Sequence, residues 1–166
     1  PPAIYGEWLV PGATRTLVLY AHYDGQPVTP SDWASDPWTP TWRDGALGGD
    51  ARVVDLPAGG PIDPKWRVYG RGASDDKAGV MAILAAADAL KAAGATPTFN
   101  LKIFFDGEEE QGSPHLQETL ERHRELLASE AWIIADGPVH PSGRPQVVYG
   151  VRGDFTNYRR KSLFAR

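Results

Sequence analysis

No cysteine occurs among the 166 residues, which excludes disulfide bonds and thiolate metal sites together and leaves histidine and carboxylates as the only metal ligands. Nor is there an excess of positive charge. Seventeen basic against 21 acidic residues give a formal charge of −4, which argues against a broad nucleic-acid-binding surface, so no nucleic-acid partner is expected. No run of about 18 apolar residues is present to span a bilayer, and no membrane partner is expected either. The opening Pro1-Pro2-Ala3 has neither an initiator methionine nor a basic-then-apolar leader pattern, so the true N-terminus is expected to lie upstream. The cytoplasm is the favoured compartment, with periplasmic or secreted protein also compatible. Finally, G-x-S-x-G and G-x-x-x-x-G-K-[ST] are both missing, which argues against a serine hydrolase and a P-loop nucleotide binder.

What is present is ordinary globular composition, 42% hydrophobic and 23% charged, in a length suited to one compact domain. Residues 15–21, with Leu17, Val18 and Leu19, form an apolar run of the kind buried on both faces of a parallel sheet. Residues 25–65 are rich in Pro, Gly and Asp and carry Trp33, Trp38 and Trp42, of which Trp33 and Trp38 are expected to be packing residues; the stretch reads as an ordered surface loop or a hairpin. A short strand is predicted over 66–69. Val80, Ile83, Leu84, Ala87 and Leu90 then recur at helical spacing over 76–93, with Gly94 as the stop. Alternating Phe99, Leu101, Ile103 and Phe105 predict a second central strand over 98–105. Ser113-Pro114 predicts an N-cap for a helix to about residue 129, with Leu116, Leu120 and Leu127 on its buried side. Further strands are predicted over 132–135 and 146–151, followed by a basic tail. This alternation is the signature of an α/β fold, three layers with a mostly parallel sheet.

The decisive pattern is where the acidic and histidine residues fall. His22, Glu109, Glu110 and Asp136 lie at or just past strand C-termini, and Asp75 lies in a turn between strand and helix, at the sheet edge where α/β proteins build sites. In His22-Tyr23-Asp24 the first and third residues project to one side, so Asp24 can accept from one ring nitrogen while the other binds metal. Asp76 suits a helix N-cap, whereas Asp75 can give one oxygen to each of two cations. Glu108-Glu109-Glu110 follows directly on a buried strand; adjacent carboxylates repel unless a cation neutralises them. Asp136 leaves the apolar run Trp132-Ile133-Ile134-Ala135, either as a ligand or as a turn former before Gly137-Pro138.

In series these pieces resemble the co-catalytic zinc aminoacylase, dipeptidase and carboxypeptidase family, which includes carnosinases, glutamate carboxypeptidase and succinyl-diaminopimelate desuccinylase. The resemblance rests on the motifs Leu17-Val18-Leu19-Tyr20-Ala21-His22-Tyr23-Asp24, Asp36-Pro37-Trp38, Tyr69-Gly70-Arg71-Gly72-Ala73-Ser74-Asp75-Asp76-Lys77-Ala78-Gly79, Gly107-Glu108-Glu109-Glu110-Gln111-Gly112-Ser113, Asp136 and Gly150-Val151-Arg152-Gly153. It implies a zinc-exopeptidase-like catalytic domain holding two divalent ions, zinc first with manganese or cobalt also suited. His22, Asp75 and Asp136 would hold one ion, and Asp75 and Glu110 the second. Glu109 would be the general base and Asp24 the carboxylate that orients His22. The implied reaction is hydrolysis of a dipeptide or small peptide, with N-acyl amino acid deacylation and metal binding without turnover left as alternatives. In that family the second ion also takes a histidine far down the chain, beyond an inserted lid that carries the homodimer contact. Neither His115, His123 nor His140 occupies that motif position. The expected division is therefore 1–153 as the metal-binding part of the catalytic domain and 154–166 as the start of a missing or aberrant lid segment.

Overall fold

A computed structural model describes residues 2–137, 140, 142–144 and 146–148. Its main sheet has four strands in the order β1-β5-β2-β6, where β1 is Ile4–Trp8, β2 Thr16–His22, β5 Asn100–Asp106 and β6 Ala131–Ile134. β5, β2 and β6 run parallel, and β1 joins β5 as an antiparallel edge. The register pairs His22 with Asp106 and Tyr20 with Ile134, so the chain leaves three neighbouring strands along one edge.

Alternation along the strands sends successive side chains to opposite faces, and each face has its own helix. On one side Val18, Tyr20, Phe104 and Leu127 form a core against which Leu116 and Leu120 of α2 (Leu116–Arg122) pack. Tyr20 and Phe104 stack there with ring centroids 6.1 Å apart. On the other side Ala21, Phe105 and Ile83 form a second core, joined by Leu19, Ile103 and Val80. Val80 and Ile83 belong to α1 (Lys77–Ala92). This is a three-layer α/β/α arrangement.

Several sequence expectations change. β1 has no counterpart in the sequence reading. The strand predicted over 66–69 is present as β4 (Arg67–Tyr69), but it pairs with β3 (Thr41–Arg43) in a separate two-stranded sheet. The long loop is thus partly a hairpin. Leu84 stands exposed on α1 despite its helical spacing. The helix predicted to reach residue 129 ends at Arg122, and its N-cap is His115. Ser113 turns its hydroxyl to Asp106 instead, and Leu127 reaches the core from the turns that follow α2. Of the strand predicted over 146–151, residues 146–148 are not strand; the remainder, with the Gly150-Val151-Arg152-Gly153 motif and segment 154–166, lies outside the described residues. Trp33 packs under the Arg71 guanidinium at 5.2 Å, whereas Trp38 is largely exposed rather than a packing residue. Among the described residues no helix is long and apolar enough to cross a membrane.

Candidate metal centre

Each candidate ligand arrives on a different element. β2 ends at His22, whose ring is 1% exposed even though the residue stands at the sheet edge. Its backbone N–H donates to Asp76 Oδ2 at 3.1 Å, and Asp76 Oδ1 accepts from Gly79 N–H at 3.2 Å as the N-cap of α1. One buried carboxylate thereby ties the end of β2 to the first turn of α1. Burial pushes the Asp76 carboxyl above its ordinary pKa; the hydrogen bonds from His22 and Gly79 oppose that shift. The preceding Asp75 is delivered by the turn into α1, through a cis Asp75–Asp76 peptide bond.

The two nitrogens of His22 are used differently. Nδ1 lies 3.2 Å from Asp24 Oδ1 and Nε2 lies 2.9 Å from Asp75 Oδ1. Glu109 Oε2 and Asp136 Oδ2 each stand 3.8 Å from the same Nε2. Burial alone pulls the His22 imidazole down, but the Asp75 hydrogen bond and the charges of Glu109, Asp136 and Asp75 outweigh it, and the net shift is upward. Glu109 is also raised, by burial first; Asp136, Glu110 and Asp24 add to that, and His22 opposes it.

His22, Asp75 and Asp136 each offer one ligand atom, and these atoms lie within 4.8 Å of one another. An imidazole nitrogen with carboxylate oxygens is a donor set that suits zinc and related divalent ions. A cation would also relieve the repulsion among carboxylates that otherwise face one another. Glu110 stands apart from this trio. Its Oε2 accepts from Gln26 Nε2 at 2.8 Å, and its backbone N–H donates to Asp24 Oδ2 at 3.1 Å. Asp24 therefore links the far side of His22 to the turn that carries Glu109 and Glu110. Of the remaining histidines, His115 pairs with Glu108 at 2.7 Å and His140 with Ser142 at 2.6 Å, away from the trio.

Sequence reasoning missed Gln26, for which no motif gives a signal, and the backbone bond from Glu110 to Asp24, which depends on how the turn folds. Asp106 was also passed over, although its place one residue beyond the predicted end of the apolar strand was a signal of the same kind that pointed to His22.

The model of peptidase family M20/M25/M40 matches residues 18–160. The chain belongs to that family. It is 30% identical over 156 residues to a Cys-Gly metallodipeptidase of Schizosaccharomyces pombe, covering 92% of this chain and 29% of that protein. It is 31% identical over 157 residues to a Beta-Ala-His dipeptidase of Homo sapiens, covering 93% and 27% respectively. Among solved structures, an M20 family metallo-carboxypeptidase from Sulfolobus solfataricus superposes with a TM-score of 0.66 at 33% identity, over 87% of this chain and 28% of that one. The M20 chain thus spans under a third of the length of these relatives.

Proposed function

We propose that this M20 chain carries the metal-binding part of a hydrolase that cleaves the amide bond of a dipeptide or small peptide. The observation that carries the reading is the convergence of His22 Nε2, Asp75 and Asp136 within 4.8 Å, with Glu109 Oε2 held 3.8 Å from that nitrogen. His22, Asp75 and Asp136 would hold one divalent ion, and Asp75 with Glu110 would contribute to a second; zinc suits the mixed donors best, and manganese or cobalt also suit them. When bound, the ions supply Lewis acidity that polarises the scissile carbonyl and eases deprotonation of water.

The chain's own residues do the rest. Asp24, on Nδ1, fixes the His22 tautomer so that Nε2 faces the ion. Glu109 is partly shielded and has a pKa above the ordinary carboxylate value, which suits a group that takes a proton from the attacking water and returns it to the leaving amine. The names of the relatives point to dipeptide substrates, Cys-Gly and β-Ala-His among them. N-acyl amino acids are a second substrate class, supported by 34% identity over 99 residues to a succinyl-diaminopimelate desuccinylase of Acidovorax ebreus.

A further reading, metal binding without turnover, is favoured by the one ligand that stands apart: Glu110 is engaged by Gln26 outside the trio. The test is hydrolysis of Cys-Gly, β-Ala-His and N-acyl amino acids by the zinc- or manganese-loaded protein, wild type against Glu109→Gln. The expected result is turnover that falls about 10²- to 10⁴-fold in the variant while ion uptake persists. Ion uptake without any wild-type turnover would favour the binding-only reading, and failure to take up any divalent ion would remove both.

A further inference from the structure

Asp106 closes β5 directly beside His22, its partner in the parallel register, and the chemistry above makes no use of it. Its backbone carbonyl accepts the Tyr23 N–H at 2.9 Å. Its side chain is buried, 6% exposed, and is fully engaged. Oδ1 accepts from the Glu108 N–H at 2.9 Å, while Oδ2 accepts from the Ser113 hydroxyl at 2.7 Å and, more weakly, from the Tyr20 hydroxyl at 3.5 Å.

Glu108 and Ser113 are the two flanks of the turn that carries Glu109 and Glu110. Between them lie the 3₁₀ turn Glu109–Gln111 and Gly112, and the flanks close on each other through the Ser113 N–H and the Glu108 carbonyl at 2.9 Å. Ser113 has φ 46°, a left-handed conformation that non-glycine residues avoid unless something holds them there. Its hydroxyl bond to Asp106 does so. Among the described residues the Glu109 carboxylate accepts no hydrogen bond, its ionic partner being His22 Nε2 at 3.8 Å. The aim of Glu109 is therefore set by the backbone beneath it, and that backbone is fastened at both ends to one carboxylate.

We propose that Asp106 is a positioning residue, which clamps the 108–113 turn so that Glu109 points into the centre and Glu110 stands beside Asp24. This rests on the reading of Glu109 as general base. Asp106 acts through geometry, by bonding both flanks of the turn, and its charge is dispensable. An asparagine can keep both links: its amide oxygen accepts from Glu108 N–H, and its amide nitrogen donates to the Ser113 oxygen.

The test compares Asp106→Ala, Asp106→Asn and Ser113→Gly in the intact, metal-loaded protein, with amide hydrogen exchange on the metal-free protein as a second readout. Asp106→Ala is expected to lower kcat about 10- to 100-fold with KM nearly unchanged, as misplacement of a catalytic group does. It should also speed exchange at residues 108–113 about tenfold. Asp106→Asn should stay within about threefold of wild type in both. Ser113→Gly keeps the left-handed backbone but loses one link, so it should fall between them; it also serves if the alanine variant does not fold. If Asn is as damaging as Ala, charge is what matters and the proposal is overturned. Unchanged kcat in Asp106→Ala overturns it too. Should wild type itself turn nothing over, the general-base reading fails separately, and the clamp is then decided by exchange: wild-type protection at 108–113 in Asp106→Ala would refute it.

Discussion

Gly79 and Ala135 approach so closely that a Cβ on Gly79 would stand 2.2 Å from the Ala135 carbonyl oxygen and 2.4 Å from Asp76 Oδ1. The first turn of α1 is thereby pressed against Ala135, the residue between the end of β6 and Asp136. Because the obstacle is backbone, Gly79→Ala is expected to destabilise the fold by about 1–3 kcal/mol through overpacking. Thermal melting measures this; a midpoint equal to that of wild type would be incompatible with the contact.

Asp76 accepts from both the His22 and Gly79 amides, so Asp76→Ala removes a helix cap and leaves a buried N–H at the end of β2 without its acceptor. The combined cost is expected at about 1–3 kcal/mol, read by urea unfolding at neutral pH. Asp76→Asn, which keeps one acceptor oxygen, should recover part of it.

Asp24 supports His22 with one oxygen and the Glu110 amide with the other. Asp24→Ala should weaken zinc binding about 10- to 100-fold, measured by competition with a coloured chelator. An affinity within twofold of wild type would mean that the imidazole is oriented by something else.

Ligand linkage gives a test independent of turnover. Zinc at about a hundred times its dissociation constant should stabilise the chain by about 2.7 kcal/mol, and a chelator should reverse the shift. His22→Ala should abolish it. A zinc-dependent rise in melting temperature that survives the loss of His22 would place the ion elsewhere.

The Tyr5 phenol is pushed up to about 12, by burial first and then by its hydrogen bond to Glu7 and the Glu7 charge. The fold therefore favours the protonated phenol. Its contribution to stability is complete below the unfolded value near pH 10 and is lost as pH rises toward 12. Tyr5→Phe should flatten the decline in unfolding free energy between about pH 10 and 12; an unaltered slope would rule this contribution out.

Much of this architecture was legible because apolar periodicity and strand-end charges are local signals. β5 and α1 each carry an alternation or spacing that favours one element type, and the short apolar runs of β2 and β6 are of strand length and stop at a charged or turn residue. β1 was not legible, since Gly6 weakens the strand pattern and has its reason in three dimensions: a Cβ there would lie 2.9 Å from the Ile103 side chain. α2 looked longer than it is because Leu127 continues the helical spacing while reaching the core from a turn. In the candidate centre, residue types and order exposed His22, Asp75, Glu109 and Asp136. The engagement of Glu110 by Gln26 and the clamp on residues 108–113 depend on side-chain directions that a one-dimensional pattern does not contain.

The pairing of His22 with Asp106 has a consequence for how this sequence can change. Slipping β5 by two residues along β2 would return every apolar side chain to its own face, so the alternation of apolar residues alone does not forbid it. It would nevertheless carry the Glu109 turn about 7 Å along the strand axis. On the proposed reading, strand register is the ruler that spaces Glu109 from the ion that His22, Asp75 and Asp136 would hold.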